Sequence, residues 1–149
     1  MANALRTTDP AQSLELARRF LEIRAARRSS AKLSAELIAY EQKREWLEGL
    51  ARYAELETWR LASANSYLPV PEMGNLPTFG RYAGFERRWT NELAQIRRMA
   101  DDEGDGRFYY SGMAQAYLLD RLSPDWKTTA FDENIWLDDL LQAVVEKRE

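Results

Sequence analysis

The sequence predicts an all-α fold, a single helical bundle-like domain organised around one long central helix. Three observations carry that prediction. Apolar residues recur at helical spacing in most segments, as Leu14, Ala17, Phe20 and Leu21 do early in the chain. No stretch alternates apolar and polar residues as a half-buried strand would. The third is the run from Ala31 to Ala64, which holds one glycine and no proline. As a helix that run would be on the order of 50 Å long.

The elements follow in order. Asp9-Pro10 combines a favoured N-cap with proline at the first helical position, so helix is expected over 10–28. Its other side carries Arg18, Arg19, Arg24, Arg27 and Arg28, which read as a solvated face paired with Glu15 and Glu22 or as a surface for an anionic partner. Ser29-Ser30 offers a break and a new cap, and the central helix is expected over about 31–64. Pro69, Pro71, Pro77 and Gly74 then predict an extended crossing over 65–78. Phe85, Trp89, Leu93, Ile96 and Ala100 form an apolar stripe in a helix over 81–103. The acidic run Asp101-Asp102-Glu103-Gly104-Asp105-Gly106 has the look of a calcium loop. Gly112 stands where the bidentate Glu belongs, so the run reads as a helix stop. Further helices are expected over 108–122, from Pro124 to about Phe131, and over 135–147 with Asn134 as cap.

The totals narrow the function classes. A chain of 149 residues with 45% hydrophobic content fits one packed domain over 1–149. A net charge of −3 argues against a general nucleic-acid or anionic-membrane binder. No apolar run reaches the roughly 20 residues of a membrane span. The N-terminus lacks the apolar stretch of a signal peptide, and composition assigns no compartment. With no cysteine and no histidine there is no thiolate nucleophile, no serine–histidine triad and no imidazole metal ligand. Any metal must be held by oxygen atoms.

On a wheel at about 100° per residue, Trp46, Leu47, Leu50, Tyr53, Ala54 and Leu61 share one arc, expected to be buried. Glu41, Glu45, Glu48, Arg52 and Glu55 form a stripe opposite, expected to face solvent or a polar cleft. These carboxylates could also serve a hard cation such as Mg²⁺, although the usual Asp-rich, phosphate-facing arrangement is missing. Gly49 costs about 1 kcal/mol against alanine in a helix interior. A glycine there suggests that something approaches the backbone closely.

Glu48-Gly49-Leu50-Ala51-Arg52-Tyr53-Ala54-Glu55 resembles the third-ligand helix of gluzincin metallopeptidases of the aminopeptidase type. Tyr109-Tyr110-Ser111-Gly112, 61 positions on (48 to 109), is similar to the helix start of that family. The resemblance implies that Glu48 is a zinc ligand, Glu55 a carboxylate supporting the site, and Tyr109 the catalytic phenol that stabilises an oxyanion. It also implies a peptide substrate, and the convergence of Glu48 and Tyr109 on one cleft. It covers about residues 41–122. The 47 residues before Glu48 hold no histidine, so the family's His-Glu-x-x-His helix is missing. One carboxylate does not hold zinc, and no bound cofactor is expected for this chain alone. The chain therefore reads as a fragment or degenerate relative of such a peptidase, inactive in isolation. The competing expectation is a stand-alone helical interaction module, docking through the arginine face or the proline-rich crossing; a homo-oligomer is among the partners this leaves open.

Overall fold

The computed structural model describes residues 1–64, 68–78 and 84–147. It is all-α, with no strand among the described residues. The elements are α1 (Ala2–Arg6), α2 (Pro10–Ser30), α3 (Ala35–Arg44), a π-helical turn (Glu45–Gly49), α4 (Leu50–Ala62), α5 (Pro71–Gly74), α6 (Phe85–Arg98), α7 (Gly106–Leu122) and α8 (Leu137–Glu146). Short 3₁₀ turns follow α6 at Met99–Asp101 and α7 at Pro124–Thr128.

Asp9 caps α2 as its type predicts, accepting a hydrogen bond from the Ala11 amide at 3.0 Å. Ser29-Ser30 does not break the chain, because both hydroxyl residues are carried inside the last turn of α2. The break comes at Lys32, which takes a left-handed φ of 49°, and Ser34 caps the next helix through the Leu37 amide. The central helix thus spans 35–62. The proline-rich crossing is not wholly extended: Pro71 starts the single turn of α5, where proline costs no hydrogen bond. Residues 65–67 and 79–83, which complete that crossing and the expected start of α6, lie outside the described residues. Asn134 does not cap α8. It sits at a φ of 61°, and the cap is Trp136, whose amide donates to the Asp139 carboxylate at 3.0 Å.

Helix α7 lies at the centre, with Met113, Ala114, Ala116, Leu118 and Leu119 fully buried. The central helix adds Tyr53 and Leu56, α6 adds Leu93 and Ile96, and α8 adds Leu137, Leu141 and Val144. Trp89, Tyr117 and Tyr53 form an edge-to-face ladder, with ring centroids 4.7 and 4.9 Å apart. Trp46 anchors the loop after the Pro124–Thr128 turn by donating to the Ala130 carbonyl at 2.8 Å.

The π-turn overturns the wheel reading of the central helix. Buried positions run Glu41, Glu45, Gly49 and Tyr53, in steps of four. In a straight α-helix each such step would drift by about 40°; the extra residue of the π-turn takes up that drift. Glu41 and Glu45 are therefore buried rather than solvated, Glu45 being only 2% exposed. Leu47, Ala54 and Leu61 face outward instead, Leu47 at 44% exposure.

Candidate functional site

The π-turn is where the central helix meets α7. A Cβ on Gly49 would meet the Gly112 carbonyl carbon at 2.6 Å and the Met113 nitrogen at 2.8 Å. A Cβ on Gly112 would meet the Gly49 Cα at 2.8 Å and the Glu45 carbonyl carbon at 2.9 Å. Two glycines let the backbones touch, which accounts for a glycine in the middle of a long helix.

This contact brings together the two segments singled out in the sequence. Glu48 precedes Gly49 and Tyr109 lies three residues before Gly112, so both side chains emerge beside the crossing. The Tyr109 hydroxyl lies beside the Glu48 carboxylate, whose interaction with it raises the phenol above its ordinary pKa. Glu48 also accepts from Arg44 one turn back, at 2.9 Å. Arg44 reaches Asp105 at 3.5 Å, and Tyr40 donates to the same Asp105 at 2.7 Å. The pair sits on an open face, Tyr109 being exposed and Glu48 partly so. Glu55 lies two turns further on, where it is held by Arg52 at 2.6 Å and by Arg88. Of these partners Arg52 is on the same helix and Arg88 is on α6.

The donor set does not fit zinc. Zinc sites use three or four protein ligands, commonly imidazole or thiolate. This chain has neither residue type, and among the described residues no group of three carboxylates comes together.

Beneath this face lies a buried ionic network that sequence reasoning placed in solvent. Arg24 grips Glu45 with both terminal nitrogens and reaches Asp138 at 3.1 Å. Glu45 also accepts from Ser111 and, at 2.9 Å, from Gln115. Gln42 and Arg28 complete the shell of Asp138, at 2.9 and 3.1 Å. Arg27 binds Glu41 through both carboxylate oxygens at 2.6 and 2.7 Å, and Arg28 adds a bond at 3.2 Å. Burial pushes Asp138 and Glu41 up, but the arginines, helped at Asp138 by Gln42, outweigh it and hold both below the ordinary carboxylate range. The arginines of α2 are thus mostly internal partners, not a free cationic face. The one sequence signal was the alignment of Arg24, Arg27 and Arg28 with the Glu41 and Glu45 positions, which only the tertiary crossing turns into pairs.

No family model, curated protein or solved structure matches this chain.

Proposed function

We propose that this chain is the third-ligand and oxyanion half of a gluzincin-type zinc-peptidase catalytic domain, as a fragment or a degenerate relative. In isolation it is inactive, because it lacks the imidazole ligands. One observation carries the reading: Glu48 and Tyr109, 61 positions apart (48 to 109), meet on one open face through the contact of their neighbouring glycines. In that setting the Tyr109 phenol donates to the oxygen on which negative charge develops, and Glu48 supplies one anionic ligand. The substrate class is a peptide.

The test is the DNA upstream of the first codon. An in-frame His-Glu-x-x-His segment would identify a fragment, and expression of the longer chain should give zinc-dependent aminoacyl-amide hydrolysis. Tyr109→Phe should then lower kcat by roughly 10²-fold or more. Full activity in a Glu48→Gln variant of that longer chain would overturn the reading. If no such segment precedes it, the degenerate form predicts no stoichiometric zinc binding in equilibrium dialysis, and tight binding would count against it.

A second reading, a helical interaction module, draws on the exposed row Leu37, Tyr40, Leu47 and Leu61 along the central helix, and on Leu68 beyond it. It predicts a concentration-dependent dimer by light scattering that Leu47→Glu dissociates. A monomer at all concentrations would remove the self-associating form.

A further inference from the structure

Apart from the Glu48–Tyr109 pair, neither of which lines it, a cavity of about 730 Å³ opens between α1, α2, the end of α6 and the start of α7. Its volume falls within the roughly 300–1,000 Å³ of small-molecule sites. One wall is hydrocarbon: Leu16, Phe20 and Ile23 from α2, with Ile96, Met99 and Phe108. These side chains offer no hydrogen-bond donor or acceptor. A peptide laid there would leave its amides without partners, whereas an alkyl chain needs none.

The polar lining is cationic, with five arginines (Arg19, Arg24, Arg27, Arg97, Arg107) against Glu41 and Glu45. Both glutamates are already taken: Glu45 by Arg24, Ser111 and Gln115, and Glu41 by Arg27 and Arg28. Arg19 and Arg97 have no ion pair to a described carboxylate. Arg107 lies over the Phe108 ring at 4.7 Å, donates to the Asp102 carbonyl at 3.4 Å and stands 3.8 Å from Glu41, so it offers the cavity only part of its fork. Free guanidinium forks beside a hydrocarbon wall are suited to a carboxylate on an apolar body. A phosphate alone would use the arginines and leave the wall against water.

We propose that this cavity binds a single-chain organic carboxylate, its alkyl tail along Leu16, Phe20, Ile23 and Ile96 and its head group among Arg19, Arg97 and Arg107. The site is independent of the peptidase reading.

Titration calorimetry with decanoate below its micellar concentration tests this, with hexanoate, decan-1-ol and inorganic phosphate as comparison probes. Decanoate should bind one per chain and saturably. Hexanoate should bind at least tenfold more weakly, since each buried methylene is worth roughly fourfold. The double variant Arg19→Gln/Arg97→Gln should weaken decanoate by roughly tenfold or more and leave decan-1-ol unchanged. Both arginines are exposed, so the fold should survive. Ile23→Glu, at a position 59% exposed, should abolish decanoate binding while leaving the melting temperature in place. Decan-1-ol binding as tightly as decanoate, phosphate binding more tightly than decanoate, unsaturable binding, or an indifferent double arginine variant would each overturn the assignment.

Discussion

Gly49 and Gly112 hold the central helix and α7 at backbone contact: a Cβ on Gly49 would lie 2.6 Å from the Gly112 carbonyl carbon. The obstacle is main chain on both sides, so no side-chain rotation relieves it. Gly49→Ala gains about 1 kcal/mol of helix propensity. Overpacking a tight crossing costs about 1–3 kcal/mol, and with main chain as the obstacle the upper part of that range applies. Net destabilisation of about 1–2 kcal/mol is expected in urea denaturation. A raised midpoint would show that the helices can separate without loss.

Arg24 stands between Glu45 and Asp138, all three buried. Arg24→Leu removes the cation and strands both carboxylates, a change of the kind that costs about 3–5 kcal/mol. Because the stranded groups can be neutralised by protonation, the loss should shrink between pH 7 and pH 4. A pH-independent loss would assign the effect to packing of the arginine stem instead.

Acid should weaken the fold for a related reason. Asp138 and Glu41 titrate below their ordinary values of 3.8 and 4.5, so the stability they confer is complete above those values. It is lost as pH falls through the lower folded-state values. Glu36, lowered by its hydrogen bond with Ser34, acts in the same sense as these two, and Asp139, raised by burial, in the opposite one. Melting temperature should therefore hold from neutral pH to about 5 and fall below it. The fall should be smaller in Asp138→Asn, measured relative to that variant's own neutral value.

Alkali should act through Tyr117, whose buried phenol is pushed up furthest, and through Tyr53. Burial pushes the Tyr53 phenol up from 10.0 to about 12, and the hydrogen bond to Asp120 adds to this against the opposing pull of Lys127. A raised folded-state pKa gives stability that is whole below pH 10 and disappears as pH rises toward 12. Urea midpoints across that window should decline. Tyr53→Phe, which loses the 2.7 Å bond to Asp120, should start lower and decline less.

Glu48 and Tyr109 should matter little to folding. Both are open to solvent to some degree, and substitutions at such positions usually change stability by no more than about 0.5 kcal/mol. Glu48→Gln and Tyr109→Phe should each stay within that range by denaturation. A larger loss in either would mark the pair as a structural clamp.

The all-α class, the cap at Asp9 and the inward faces of α6 and α8 were legible because each depends on local spacing alone. Leu93 and Ile96, Leu137 and Leu141 are buried where periodicity puts them. The helix break was misplaced by a few residues because Ser29, Ser30 and Ser34 are equivalent as cap types, and the choice falls to the turn at Lys32. The burial of Glu41 and Glu45 was not legible. It follows from the π-turn, and from arginines some 14 to 21 residues away in sequence, which no helical wheel contains. The Glu48–Tyr109 proximity was expected from motif resemblance alone. The glycine contact gives it a physical cause.

The wide turn at Glu45–Gly49 divides the central helix into two parts with separate attachments. Upstream, Glu41 and Glu45 are fastened to α2 by charge; downstream, Tyr53 and Leu56 are fastened to the oily surface of α7. Removing a single residue between 45 and 49 would swing one part about 100° against the other. Either the acidic side chains or the aromatic ones would then lose their seat. Length in these few positions is consequently under tighter constraint than chemistry, and the chain should accept many exchanges of side chain here sooner than one deletion.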